Sequence, residues 1–170
     1  MEELARFALD YAQGLGVEYA ESRFQSDMRE VVVLKNGTTE VSSVDERRGI
    51  SVRVLVNRSM GFASINTLTK ASIKAATNRA FKLARAASKG FGKGVTLGKG
   101  DLGKGRVELK PRIQSSNIGL ESRVNALKQA DEQAEAAASK AQVKIPARIL
   151  TLDTWDTEKF VMTSDGAAVM

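Results

Sequence analysis

The chain has 170 residues, of which 42% are hydrophobic and 27% charged, a balance typical of soluble globular domains rather than disordered or fibrous chains. It contains neither cysteine nor histidine, which excludes a disulfide framework, thiolate or imidazole ligation of zinc, and histidine-based nucleophilic catalysis within these residues. The formal charge of +6 is uneven: residues 1–65 hold 8 basic and 10 acidic side chains, residues 66–118 hold 12 and 2, and residues 119–170 hold 6 and 8, so the basicity belongs to one helix and one linker.

At the start, Leu4, Phe7, Ala8, Tyr11 and Ala12 recur at i, i+3, i+4 spacing and predict a helix over residues 2–13, stopped by Gly14 and Gly16. No window holds the ~18 uninterrupted apolar residues of a membrane span. The opening MEELARFALDYAQ is acidic and amphipathic, unlike a signal peptide, and with no cysteine the expected setting is cytoplasmic. From Tyr19 to Met28 polar and apolar residues alternate as in a half-exposed strand. EVVVLKNGTTEVSSV then places Asn36-Gly37, a pair suited to a type I′ hairpin turn, between two β-prone runs.

Further strands are expected over Gly49–Asn57 and Gly61–Ile65, completing a meander of four or five antiparallel strands. In the first of these, Ile50, Val52, Val54 and Val56 should face the helices and Ser51, Arg53, Leu55 and Asn57 should face outward. Leu55 is odd there for a solvent surface. Arg53 reads as a structural ion pair or, second, as a contact to a substrate backbone. Gly49 and Gly61 suit bends or close approach at the strand starts.

A helix follows from about Thr69 to Ser88, with Ile73, Ala76, Ala80, Leu83, Ala84 and Ala87 as its apolar seam and Lys70, Lys74, Arg79, Lys82 and Arg85 largely elsewhere. Residues 1–90 thus read as an α+β domain, helix–sheet–helix, with an antiparallel meander sheet. Seven glycines between Gly90 and Gly105, then Pro111 and several serines, mark 91–118 as a Gly/Lys-rich linker or loop. Residues 119–170 read as a second, partial unit. It would hold a helix from Leu120 to Lys140 seamed by Leu120, Val124, Leu127, Ala134, Ala138 and Ala141, then the start of an antiparallel sheet. That sheet is expected to turn near Asp156-Thr157 and again at Ser-Asp-Gly, and to end in a strand whose edge at Met170 is unpaired.

Several stretches invite a chemical reading. GKGDLGKG (98–105) satisfies Gly-x-Gly-x-x-Gly spacing and nearly that of a P-loop, but the preceding VTL is a weak strand, Gly105 stands where Ser or Thr is needed, and RVELKPRI is extended rather than helical. A flexible linker that matches through low complexity is the preferred reading. The twelve cations between Lys70 and Arg112 could contact phosphates, yet stacking needs exposed aromatics and only Phe81 and Phe91 lie nearby. A solvated helix face accounts for the same residues. The carboxylate pairs Asp45-Glu46, Asp131-Glu132 and Asp153 with Asp156 fit turns or exposed helix faces, and no loop has calcium-binding spacing. TSDG, Thr163 to Gly166, reads as a plain turn. No catalytic, cofactor-binding or metal residue is therefore assigned.

The order of elements, with GVEYAESRF (16–24), the Asn36-Gly37 turn, Gly49-x-x-Val52-Arg53, Gly61-Phe62-Ala63-Ser64 and the Ala-rich helix after them, resembles the start of the TldD/PmbA family. LKQADEQAEAA and the hairpin ending in TSDG resemble more loosely the start of the family's middle region. The family was once labelled modulators of DNA gyrase and is now regarded as zinc metallopeptidases. The resemblance implies a zinc site on a His-Glu-x-x-x-His type helix with a further ligand in the C-terminal region, all beyond residue 170. It also implies peptide or unfolded-protein substrates held in a cleft, and homodimers or heterodimers with a related chain. The expectation is a non-catalytic N-terminal portion of such a peptidase, with no cofactor in this chain, contributing a peptide-cleft wall and dimer contacts, without membrane or nucleic acid as partners. The alternative is a small basic module for nucleic acid or an acidic partner, acting through the Lys-rich helix and linker.

Overall fold

The computed structural model describes residues 1–90, 94–98 and 103–170. In chain order the elements are α1 (Glu2–Gly14), β1 (Tyr19–Lys35), β2 (Thr38–Val56), β3 (Ser59–Ile65), α2 (Lys70–Ala87), β4 (Lys104–Gly105), a 3-10 turn (Ser115–Asn117), α3 (Leu120–Lys140), β5 (Ile149–Thr163) and β6 (Ala168–Val169). The strands order as β3-β2-β1-β5-β6-β4 in one sheet. β2 with β3 and β5 with β6 are antiparallel, and the short β4 runs parallel to β6. This is the mixed α+β class that the hydrophobic periodicities predict.

Three strands are longer than expected. The alternating run from Tyr19 and the valines after Glu30 fuse into β1, and β2 continues from Thr38 through Gly49 to Val56. Asn36 and Gly37 join them with φ of 49° and 78°, the left-handed pair that a type I′ turn requires. The turn expected near Asp156-Thr157 is absent, because β5 stays extended from Ile149 to Thr163. Thr157 contributes by donating its hydroxyl to Asp27 on β1 at 2.8 Å.

A second two-residue turn, Asn57-Arg58, joins β2 to β3 with φ of 48° and 60°. A left-handed arginine costs about 1–2 kcal/mol, and its local bonds offset that. The Arg58 amide donates to Glu18 Oε1 at 3.3 Å and its carbonyl accepts from Val95 N at 2.7 Å. The guanidinium donates to Thr96 Oγ1 at 3.1 Å and reaches Gly94 O at 3.4 Å. Gly94 is obligatory here, since a Cβ would stand 2.3 Å from Arg58 Cβ.

By internal packing the chain divides into two units, one of Met1–Asp27, Arg47–Glu108 and Thr157–Met170, the other of Met28–Glu46 and Leu109–Asp156. In the first unit the strands present every second side chain to α1 and α2. Phe24, Ile50, Val52, Val54, Phe160 and Met162 meet Ala5, Ala8, Leu9 and Ala12 of α1 and Ile73, Ala76, Ala80 and Ala84 of α2. Ala5 and Leu9 join the α1 stripe that the spacing predicted, while Leu4 and Phe7 are only partly buried. Leu83, expected in the α2 seam, is 49% exposed, and Thr77 sits there instead with its hydroxyl donated to Ile73 O at 2.9 Å. Thr69 caps α2, accepting from Ser72 N at 3.1 Å. The small seam lets α2 lie directly on β3: a Cβ on Gly61 would stand 1.9 Å from the Ala80 carbonyl oxygen.

Leu55, expected to face outward, is 5% exposed and lines a groove with Val95 and Leu97 on the side away from the core. A segment read as linker thus shelters it. Residues further along the same stretch pair the edge of β6. Ala168 N donates to Gly103 O, Met170 N to Gly105 O and Val107 N to Met170 O, at 3.1, 3.0 and 2.8 Å, so this edge is not left unpaired as expected.

The second unit relies on polar clamps. On α3 the buried residue is Asp131, which lies in the predicted apolar seam, while Val124, Leu127 and Ala138 are half-buried and Leu120, Ala134 and Ala141 are exposed. Arg148 Nε and Nη2 reach the two Asp131 oxygens at 2.7 and 3.1 Å, and Nη2 also meets Glu135 at 3.1 Å. The backbone of Arg148 clasps the hairpin turn: its amide donates to Asn36 Oδ1 at 2.8 Å and its carbonyl accepts from Asn36 N at 3.0 Å. Arg123 on α3 pairs with Glu30 on β1. Hydrogen bonding from Arg148 holds the Asp131 carboxyl below its ordinary range.

Three stability changes follow. Gly61→Ala should destabilise the chain by about 3 kcal/mol in urea unfolding, because backbone rather than a movable side chain blocks the new methyl. Ser22→Ala should stabilise it by roughly 1 kcal/mol, since the Ser22 hydroxyl is fully buried and has no hydrogen-bond partner among the described residues. Asp131→Asn should lower the urea midpoint at neutral pH. A depressed carboxyl adds stability above its unfolded pKa and loses it as pH falls through the folded value. The gap to wild type should therefore narrow as the pH is lowered towards about 3.

Candidate functional site

None of the chemical readings of the sequence assembles a reaction centre among the described residues. Of GKGDLGKG, residues 99–102 lie outside the described residues. Gly98 lines the groove beside Leu55, and Lys104–Gly105 form β4. The segment after Gly105 has no helix until the Ser115–Asn117 turn, so no helix N-terminus faces those glycines. Asp131 is buried and ion-paired rather than exposed. Asp153 accepts from Arg29 Nε at 3.0 and 3.1 Å, with that guanidinium 5.0 Å above the Trp155 ring. TSDG is a turn, and its Ser164 also pins β1: the hydroxyl accepts from Ala20 N at 2.9 Å and the amide donates to Ala20 O at 2.8 Å.

Zinc does not fit these residues. The chain has no imidazole or thiolate to offer, and no group of three or more Asp or Glu among the described residues is placed to hold a metal ion.

The cations of α2 are partly engaged. Lys70 lies 3.5 Å from Glu3 and 5.6 Å over the Phe7 ring, Lys74 lies 5.5 Å over Tyr11, and Arg85 lies 5.7 Å over Phe81. Phe91 lies outside the described residues.

The built feature is a groove of about 680 Å³ on the sheet face of the first unit that is turned away from the helices. Its origin is the strand period. While Ala20, Ser22 and Phe24 enter the core, Tyr19, Glu21, Arg23, Gln25 and Asp27 form a row on the other side. The row is hydrogen-bonded along its length. Tyr19 Oη donates to Glu21 Oε2 at 3.4 Å, Arg23 Nη2 to Gln25 Oε1 at 2.8 Å, and Gln25 Nε2 to Asp27 Oδ2 at 2.7 Å. With Thr157 on its other oxygen, the Asp27 carboxyl sits below its usual range. Burial first, then the Glu21 and Asp165 carboxylates, push the Tyr19 phenol up to about 12, so it stays a neutral donor at physiological pH.

β2 and β3 supply the facing wall, where the register sets Arg53 against Phe62 and Ser51 against Ser64. Arg53 Nη1 meets Glu21 Oε2 at 3.4 Å, the ion pair expected from the sequence. Gly49, Ser51 and Ser64 are small and lie between the larger Arg53, Phe62 and Arg23, which makes the surface concave. Phe62 is 51% exposed. Alternation marked Tyr19–Met28 as half-exposed, but nothing in it said that the charged row would share one concave face with residues of β2 and β3.

Comparison with known proteins bears on this fold. Residues 20–84 match the family described as PmbA/TldA metallopeptidase domain 1. A search of curated proteins finds no match. Among solved structures, TldE from Thermococcus kodakarensis superposes with a TM-score of 0.67 at 18% identity, over 99% of this chain and 36% of its own. A candidate modulator of DNA gyrase from Bacteroides thetaiotaomicron gives 0.68 at 17% identity, over 98% and 37%. Another from Thermotoga maritima gives 0.69 at 15%, over 99% and 36%. The chain thus spans just over a third of the length of each of these structures. At such identities the superpositions speak for the fold alone, and the domain match, over residues 20–84, likens the α+β core that carries the outer-face groove to the first domain of the TldD/PmbA family.

Proposed function

We propose that the chain is the non-catalytic N-terminal portion of a TldD/PmbA-type zinc metallopeptidase, in which the outer sheet face of the first unit forms one wall of a peptide cleft. The observation that carries this reading is the groove itself. It is an open, concave strand face in which hydrogen-bonding side chains alternate with a half-exposed aromatic ring, a surface suited to an extended chain. The chemistry belongs elsewhere, because a chain without imidazole or thiol has no ordinary means of holding zinc. Zinc, the peptide or unfolded-protein substrate, and a homodimer or heterodimer with a related chain are properties of the whole protein in this reading, as is a cytoplasmic setting. No helix of the described residues is long and apolar enough to cross a membrane.

The competing reading, a basic module for nucleic acid or an acidic partner, draws on the same α2 cations that lie over Phe7, Tyr11 and Phe81, which weakens it.

A photo-cross-linking benzoylphenylalanine placed at position 62, with position 83 on the exposed side of α2 as control, tests the wall. Labelled peptides from an unfolded protein should be captured from position 62 and not from position 83, and the purified chain should neither retain zinc nor hydrolyse them. Equal or absent capture at position 62, or zinc-dependent hydrolysis by the chain alone, would refute the reading.

A further inference from the structure

Resting on the reading of this face as a peptide wall, we infer that the groove selects extended segments bearing carboxylate side chains, received by Arg23 and Arg53, with an apolar neighbour against Phe62.

The lining holds four arginines (Arg23, Arg47, Arg48, Arg53) and two acids, Glu21 and Asp27, and it is Arg23 and Arg53 that receive the carboxylate. Both acids are already committed. Each Asp27 oxygen accepts a hydrogen bond, from Gln25 at 2.7 Å and from Thr157 at 2.8 Å, and Glu21 Oε2 accepts from Tyr19 and Arg53. Glu21 is balanced by Arg53, whereas Asp27, held by neutral donors, keeps its charge at the end of the row far from Arg53.

The two arginines are in the opposite position. Arg53 touches Glu21 through Nη1 at 3.4 Å, long for a charge-assisted bond, and its side chain is 45% exposed. A guanidinium has five N–H donors in a planar fork, so most of this one is available for a carboxylate arriving from the groove. Arg23 is exposed, donates to the neutral amide oxygen of Gln25, and interacts with the Asp27 carboxylate only through space, without a direct bond, so its guanidinium can still meet an arriving carboxylate.

Geometry sets the rest of the recognition. The register puts Phe62 directly beside Arg53, so an acidic side chain bound at Arg53 brings a neighbouring apolar side chain within reach of the ring. The small Ser51–Ser64 pair lies two residues along the strands and leaves room for the ligand backbone. An extended peptide repeats its side chains on one face about every 7 Å, the same period as the strand row beneath it.

The test is fluorescence anisotropy on the 170-residue chain with a short fluorescein-labelled peptide that alternates Glu and Leu. Its Gln-for-Glu and Lys-for-Glu versions and a single-stranded oligonucleotide serve as comparators. The acidic peptide should bind about tenfold more tightly than the Gln version, the order expected for one charge-assisted hydrogen bond. Arg53→Gln and Arg23→Gln should each erase most of that preference with the circular dichroism spectrum unchanged, and Arg53→Lys should keep part of it. Equal affinity for the Glu and Gln peptides, or tighter binding of the Lys peptide or the oligonucleotide, would overturn carboxylate selection. Capture at position 62 alongside equal affinities would leave the peptide wall standing, whereas no peptide binding and no capture would remove both.

Discussion

Direct seating of α2 on β3 is the constraint from which the first unit follows. Gly61 has no side chain, and the facing positions on the helix are Ala76, Ala80 and Ala84, so helix backbone and strand backbone come within van der Waals reach. Close-packed interiors gain dispersion energy only when such surfaces fit, because a residual gap forfeits contacts outright. α1 repeats the solution with Ala5, Ala8 and Ala12, and Asn78 on α2 donates to Tyr11 on α1 at 2.9 Å. With few aromatics available, small residues at close range do the packing that large ones do in other cores. Phe24 and Phe160 are exceptions, and truncating the fully buried Phe24 ring would cost about 3–5 kcal/mol.

The second unit is held differently. Asp131, Arg148 and Asn36 form one chain of hydrogen bonds from helix to hairpin turn, with Arg123–Glu30 as a second clamp. Polar clamps specify register sharply, because a single-residue slip would leave a buried carboxylate without its partner. They contribute less net stability than apolar burial of the same extent, since desolvation opposes the Coulombic gain.

Covering one sheet face with α1 and α2 leaves the other face of the first unit to be shaped by side-chain size alone. Alternation of large and small residues there makes a groove with a hydrogen-bonded floor and arginines in its lining. In the proposed reading this surface positions a chain, and cleavage is left to residues elsewhere in the whole protein. This is the division of labour proposed for the whole protein.

Much of this was legible in the residues. Binary patterning defined the helices to within a residue or two, and Asn36-Gly37 declared its turn, because local backbone preferences act at the residues that carry them. The resemblance to the TldD/PmbA family lay in the same ordered joints. Tertiary structure decided what local preferences cannot: that Asp156-Thr157 stays extended beside β1, that Leu55 is sheltered by residues 94–98, and that the glycine-rich stretch pairs the edge of β6. It also decided that Asp131 turns inward to meet Arg148 and that Arg23, Arg53 and Phe62 share one concavity. Each of these depends on partners distant in the chain, and a pattern read within a dozen residues contains no term for them.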